Sequence, residues 1–523
     1  MILMRVWRNI FVALGLTLGL TCSPFSQQTS APKPHPAVPN HSPQTSEAVS
    51  FVDIAKFAGI DFRLTCGGPE KRYIMESMCG GVAVLDYDND GWMDIFLVNG
   101  STLEDLKAGK CHASKLYHNN HDGTFSDVTA KSGINHCGWG FGAAVGDYDN
   151  DGREDLYITY LDGAVLYHNN GDGTFTDVTE KLNIDPGSYY GLGVMWLDYD
   201  LDGCLDLYVS DDSTPSMLYH GDCKGGFTEV GAEAGVAYSG DGREQAGMGV
   251  DSADYDNDGW PDIAKANFSD DSNNLFHNDH NGDFTDLAGP SDFGPISIPF
   301  LGFGMKFLDF DNDGWKDILV ANGHVNPQVD QHSFGVTYAE RPLLFHNLRN
   351  GKFQEVATRT GVAMSHRYVA RGAATADFFN EGREDLLVSV LDGSPLLLRN
   401  ILRNKSTQHN HWLRVKTVGV RSNRDGFGAR VQVKAGGLTQ SAEVRANSSF
   451  ESASDPRLHF GLGPATKVDS IEVHWPSGAV DRIGSVSSDQ QVTIEEGRGL
   501  VPQPLTSIPA KKQPSSGPKS SAN

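Results

Sequence analysis

Along most of the chain, apolar and β-branched residues come in runs of four to eight, cut by Asn-Gly and Asp-Gly turns, which predicts short antiparallel strands. One unit recurs. Its clearest copy reads GWGFGAAVG, DYDNDGRED, LYITYLDG, VLYHNNGDGTF and TDVTEKLNI: small residues, an acidic turn, an apolar strand, a hairpin and a Phe-led segment. The acidic turns start at Asp86, Asp147, Asp198, Asp254, Asp309 and Asp377, 51 to 68 residues apart. Four strands repeated at this period predict the blades of a β-propeller. Six Phe-led segments begin at Phe51, Phe125, Phe175, Phe227, Phe284 and Phe353. The first precedes every acidic turn and the last acidic turn has none after it, so Phe51-Val52-Asp53-Ile54 is expected to complete the last blade and close the ring. That count gives six four-stranded blades; seven, with one blade lacking a visible signature, is the alternative. From about Asn410 to Gly497, HWLRVKTVG, ARVQVKAGG, SAEVRAN and DSIEVHWPSG alternate without acidic turns. The expected fold is therefore all-β, a propeller over residues 51–405 followed by a separate, small β-sandwich-like domain over 410–497.

The flanks read differently. Arg5 and Arg8 precede an apolar run from Ile10 to Leu20 that is too short to span a bilayer comfortably, so residues 1–22 are expected to be a secretory signal. Cys22 leaves a lipid-anchored lipoprotein as the alternative to soluble secretion. Residues 23–50 and 498–523 are rich in Pro, Ser and Gln and are expected to be a disordered linker and tail. Six cysteines remain, an even number that favours disulfides in an exported chain. In a four-stranded blade the first and third turns share one face, and the second turn and the inter-blade link share the other. That rule predicts the pairs Cys66–Cys79, Cys111–Cys137 and Cys204–Cys223.

The acidic turns carry the candidate chemistry. Each intact copy reads Asp-x-Asp-x-Asp-Gly-x-x-Asp, with carboxylates at positions 1, 3, 5 and 9, glycine at 6 to reverse the backbone, and a carbonyl offered at 7. The candidate ligands are Asp86, Asp88, Asp90, Trp92 and Asp94; Asp147, Asp149, Asp151, Arg153 and Asp155; Asp198, Asp200, Asp202, Cys204 and Asp206; Asp254, Asp256, Asp258, Trp260 and Asp262; and Asp309, Asp311, Asp313, Trp315 and Asp317. An all-oxygen cage of this kind suits Ca2+, about five ions per chain. EF-hands are excluded, because position 12 is Leu97, Ile158, Val209, Lys265 or Val320 rather than Glu. The sixth copy, at Asp377, replaces the second aspartate with Phe379 and is expected to bind no metal. The formal net charge is −25, which five divalent ions would bring to −15, and no basic stripe suits nucleic acid. His118, His168, His220, His277 and His346 recur just before the third turn of each blade; since they stand around a ring and cannot converge on one ion, they read as residues fixed by the repeat. Trp92, Trp260 and Trp315 read as packing side chains rather than sugar platforms. No nucleophile elbow, metalloprotease motif or phosphate loop is present.

The repeats resemble the FG-GAP, or VCBS, family, through Gly140-Phe141-Gly142-Ala143-Ala144 before DYDNDGRED and Gly302-Phe303-Gly304 before DFDNDGWKD. NHWLRVKTVG, NRDGFGARV, SDPRLHFGLG and VDSIEVHWPSG resemble the ASPIC/UnbV module. The combination is similar to the cartilage acidic protein 1 family and its bacterial relatives. The resemblance implies an extracellular, calcium-binding adhesion or interaction protein with a protein or glycan partner, and no enzyme. A lectin-like carbohydrate-binding module and a polysaccharide-active enzyme are the alternatives.

Overall fold

A computed structural model describes residues 49–182, 192–332, 335–402 and 410–502. The signal, Cys22 and nearly all of the linker lie outside the described residues.

Among the described residues, six antiparallel blades of four strands each follow one another, the sheet of the first being extended by two further strands. Blade 1 runs from Val82–Leu85 through Asp94–Leu97 and Lys115–Asn119 to Phe125–Asp127, and blades 2 to 5 repeat the order. Blade 6 takes Ala370–Ala376, Asp385–Val390 and Leu396–Leu402 from its own stretch of chain, and its outer strand is Val49–Asp53, paired antiparallel with Leu398–Leu402. Ring closure by the first strand is thus present, beginning at Val49 rather than Phe51. The leading phenylalanine of each outer strand is buried between blades except Phe227, which is half exposed. Cys66–Cys79, Cys111–Cys137 and Cys204–Cys223 are bonded, as the shared faces of their turns require.

The carboxy-terminal domain packs two four-stranded sheets face to face. One is ordered Leu458–Gly463, His411–Val418, Gln490–Glu495, Gly499–Val501, and the other Leu438–Glu443, Arg430–Ala435, Ser470–His474, Val480–Ile483. Leu413, Val415, Val431, Val433, Phe460, Val473, Trp475 and Ile494 fill the space between them. The last strand corrects the expected boundary, since order continues past Gly497.

This domain also departs from the expectation of a separate unit. Its hairpin, Asn447–Ser448 and Ser452–Ala453, enters the axis of the propeller and extends the sheet of blade 1, with Ala453 beside Ala83. Ser449 exchanges both backbone hydrogen bonds with Val250 of blade 4, at 2.6 and 3.2 Å. Ala143 of blade 2 donates to the Glu451 carbonyl, Met305 of blade 5 to Ser449 Oγ, and Thr375 of blade 6 to Ser454 Oγ. The first hairpin strand also lies against Gly193–Leu197 of blade 3. Phe450 is fully buried at the tip, edge-on to Phe303 at 4.9 Å. The family glycine, five residues before the first aspartate of each blade, now has a steric reason. A Cβ at Gly81 would overlap the Glu451 carbonyl oxygen, at Gly372 the Ser452 hydroxyl, and at Gly249 the Phe303 carbonyl of the next blade.

Candidate metal centres

Each acidic turn is built by its own carboxylates before any ion is considered. The position 1 carboxylate accepts the N–H groups of positions 5 and 6: Asp86 takes Asp90 and Gly91 at 2.9 and 3.0 Å, and Asp254 takes Asp258 and Gly259 at the same distances. Position 5 accepts the N–H of position 7, as Asp90 does from Trp92 at 2.8 Å. Position 9 reaches the third strand, where Asp94, Asp155, Asp262 and Asp317 accept the N–H of Asn119, Asn169, Asn278 and Asn347 at 2.7 to 2.9 Å. Glycine at position 6 has φ between +75° and +97° in all six turns. Position 4 is left-handed as well, a role for which Asn is suited and which Leu201 fills in blade 3.

That Asn links one turn to the next. Asn89 donates to the Gly152 carbonyl of blade 2, Asn257 to Gly314, Asn312 to Gly382, and Asn380 to Gly91, at 2.8 to 3.2 Å. Five turns are therefore chained in the order 4, 5, 6, 1, 2. The turns also face the carboxy-terminal domain. Asp425 and Glu443 accept the N–H of Asp147 and Asp198, both at 3.1 Å, and Asn410 donates to the Asp311 carbonyl.

The remaining oxygens are poorly compensated. Burial pushes Asp94, Asp198, Asp262, Asp311 and Asp317 up to about 7, and Asp86, Asp155 and Asp206 to about 6. At Asp254, burial and then the charges of Asp262, Asp258 and Asp256 raise it to about 8. Asp94 Oδ2, Asp198 Oδ1 and Asp311 Oδ1 are buried without a hydrogen-bond partner. An array of packed carboxylates with orphaned oxygens fits a divalent cation, and the donor set is that of a hard ion.

The histidines stand closer to this chemistry than the ring argument allowed. They do not converge on one another, but each faces the turn of its own blade, because the third turn folds back to the face of the first. His118, His168, His220 and His277 bring Nδ1 within 3.2 to 3.5 Å of carboxylate oxygens at positions 3 and 9, and His346 within 3.2 Å of Asp317. Clusters such as Asp88, Asp94 and His118, or Asp149, Asp151 and His168, are compact enough to share one ion. In three blades the side chain at position 7 clips the first turn to the third: Trp92 and Trp260 stack on His121 and His280 at 4.7 and 5.0 Å, and Cys204 is bonded to Cys223. His121 and His280 hydrogen-bond Asp90 and Asp258 at 2.5 and 2.6 Å, and Arg349 does the same for Asp313 at 2.6 Å.

In blade 6 the protein itself neutralises the position 1 carboxylate, while Asp385 at position 9 stays buried with Oδ2 unpartnered. Arg414 of the carboxy-terminal domain pairs with Asp377, and its other nitrogen donates to Asn380 at 3.2 Å. Arg399 takes the place that histidine holds in the other blades and lies 4.1 Å over the Phe379 ring.

The comparisons with known proteins agree with this architecture. The family described as FG-GAP-like repeat matches residues 86–158, 156–209, 198–264 and 254–320, and the family described as ASPIC and UnbV matches 419–501. Cartilage acidic protein 1 of Mus musculus is 26% identical over 440 residues, covering 80% of this chain and 64% of the relative. That of Homo sapiens is 26% identical over 438 residues, covering 79% and 62%. The chain thus spans less than two thirds of the length of these relatives. Among solved structures, an Agrocybe aegerita lectin that recognises non-reducing terminal N-acetylglucosamine covers 60% of this chain and 75% of its own, at a TM-score of 0.32 and 16% identity, too loose a likeness to carry an argument. Repeats, ring and carboxy-terminal module together make the chain an FG-GAP-like repeat protein carrying an ASPIC and UnbV domain, similar in sequence to cartilage acidic protein 1.

Proposed function

We propose that the chain is an exported calcium-binding propeller that acts as an adhesion or interaction protein, with about five Ca2+ ions stabilising its blades. The observation that carries the reading is the contrast between five turns that keep aspartates at positions 1, 3 and 5 and a sixth in which Phe379 removes one of them and Arg414 pairs with Asp377. Three disulfides fit an oxidising compartment, and no helix among the described residues is long and apolar enough to cross a membrane. Because the turns lie under the carboxy-terminal domain, calcium acts on the scaffold, and the extracellular protein or glycan partner is met elsewhere on the surface. Binding without turnover is the expected activity.

Calorimetric titration of the chelator-treated chain with Ca2+ tests this. Four or five ions are expected, with one fewer in the Asp149→Ala variant; no binding would reduce the aspartates to turn formers.

The acidity of the turns predicts a pH dependence. In the metal-free protein these carboxylates rise from an unfolded value of about 4 to between about 6 and about 8. Their contribution is most favourable below about pH 4 and is lost as pH rises through the folded values. The melting temperature of the chelated chain is therefore expected to be higher at pH 5.5 than at pH 8, and the trend should weaken or reverse in millimolar Ca2+. A flat profile by scanning calorimetry would show that the carboxylates ionise without penalty.

A further inference from the structure

In blades 1 to 3 the imidazole beside the acidic turn has a geometry that hydrogen bonding does not explain. His118 Nδ1 is 3.4 Å from Asp88 Oδ2 and 3.4 Å from Asp94 Oδ1. His168 repeats this with Asp149 and Asp155 at 3.4 and 3.4 Å, and His220 with Asp200 and Asp206 at 3.5 and 3.2 Å. His277 stands 3.5 and 3.2 Å from Asp256 and Asp262, and there the shorter contact is a hydrogen bond. In blades 1, 2 and 3 this nitrogen is shielded from solvent and hydrogen-bonds neither oxygen. A nitrogen seeking one carboxylate would align with it at about 2.9 Å. A nitrogen and two oxygens from different residues, set ~3.2 to 3.5 Å apart, have instead the spacing of adjacent ligands around one ion held at roughly 2.3 Å. Two further observations point to an ion there. Asp94, its side chain 1% exposed, faces the imidazole with Oδ1, and its second oxygen, Oδ2, is left without a partner. In blade 6, where Phe379 replaces the position 3 aspartate, the histidine is replaced as well, by Arg399, so both donors are absent from the same turn.

We propose that the imidazole nitrogen is itself a ligand, so that the turns of blades 1 to 3 are mixed carboxylate–imidazole centres that accept a first-row divalent transition cation such as Mn2+ as well as calcium. Imidazole is a donor that calcium does not seek and that first-row transition ions do. The inference rests on the reading that these turns hold a divalent cation, but it concerns which cation and through which atom.

The test is electron spin echo envelope modulation of the full chain, chelated and then loaded with Mn2+, alongside the Ca2+ titration above. Nitrogen-14 modulation is expected in the unaltered chain. In His168→Ala the modulation and the number of bound Mn2+ ions should fall in proportion to the one site lost, with the Ca2+ count unchanged. Mn2+ bound without nitrogen modulation, modulation indifferent to His168→Ala, or Ca2+ binding with no Mn2+ binding would each overturn the proposal and leave the calcium reading standing. Mn2+ with nitrogen modulation but no Ca2+ binding would uphold the proposal and overturn the calcium reading; binding of neither ion would overturn both.

Discussion

Removing divalent cations is expected to lower the melting temperature of this chain more than any single substitution. Every intact turn ends an inner strand and begins the next, and its position 9 aspartate also anchors the third strand, so one ion would fix three strands of a blade. With a dissociation constant of ~10 μM and ~1 mM calcium, each site would add roughly 2.7 kcal/mol, and five would add ~13 kcal/mol. That matches the whole stability of a typical domain, ~5 to 15 kcal/mol. The chaining of turns 4, 5, 6, 1 and 2 through their position 4 asparagines predicts that the loss is shared along the chain, with blade 3, which carries Leu201, behaving separately. Thermal unfolding with and without chelator measures this; an unchanged midpoint would remove calcium from the scaffold.

Replacing Arg414 is expected to be the most damaging single change. The Arg414 and Asp377 side chains are 2% and 1% exposed, and the pair joins the carboxy-terminal domain to blade 6 where the other blades present an acidic cage. Arg414→Met leaves Asp377 buried without its ion-pair partner, a loss of about 3 to 5 kcal/mol. Added Ca2+ should not restore it, because Phe379 stands where the cage needs its second carboxylate. The double variant Arg414→Met with Asp377→Asn removes the stranded charge and should recover much of the loss. Urea denaturation of the two variants in excess Ca2+ distinguishes a buried charge pair from simple packing, for which the second substitution would bring no recovery.

How much of this could be read from the chain depended on whether a feature repeats. Five acidic turns, six Phe-led segments and the closure by Phe51 were legible because each copy confirms the others, and the cysteine pairs followed from which turns share a face. Comparing blades with one another separates the histidines but hides the turn that each one faces. The turn rule that pairs Cys204 with Cys223 also places His220 beside Asp200 and Asp206. The position 4 asparagines are visible in five of six turns, but their partners lie in the next blade or, for Asn150, at Arg424 of the carboxy-terminal domain, which the repeat pattern does not show. Arg414 and the axial hairpin occur once and far from what they touch. RANSSFESASD carries no strong turn signal; it forms a hairpin because five inner strands offer backbone partners to its own backbone, hydroxyl and amide groups.

That hairpin constrains the history of the molecule. Repeats of this kind multiply by duplication, and an open ring could gain or lose one with little penalty. Here seven residues, Asn447 to Ala453, are fitted to the width of an axis made by six strands. A seventh copy of the unit would move the inner strands out of reach of Ser449, Glu451 and Ser452 at once, so duplication within the ring and a matching change near the far end of the gene would have to occur together. Variation is left to the loops on the opposite face, where insertion leaves the circumference unchanged.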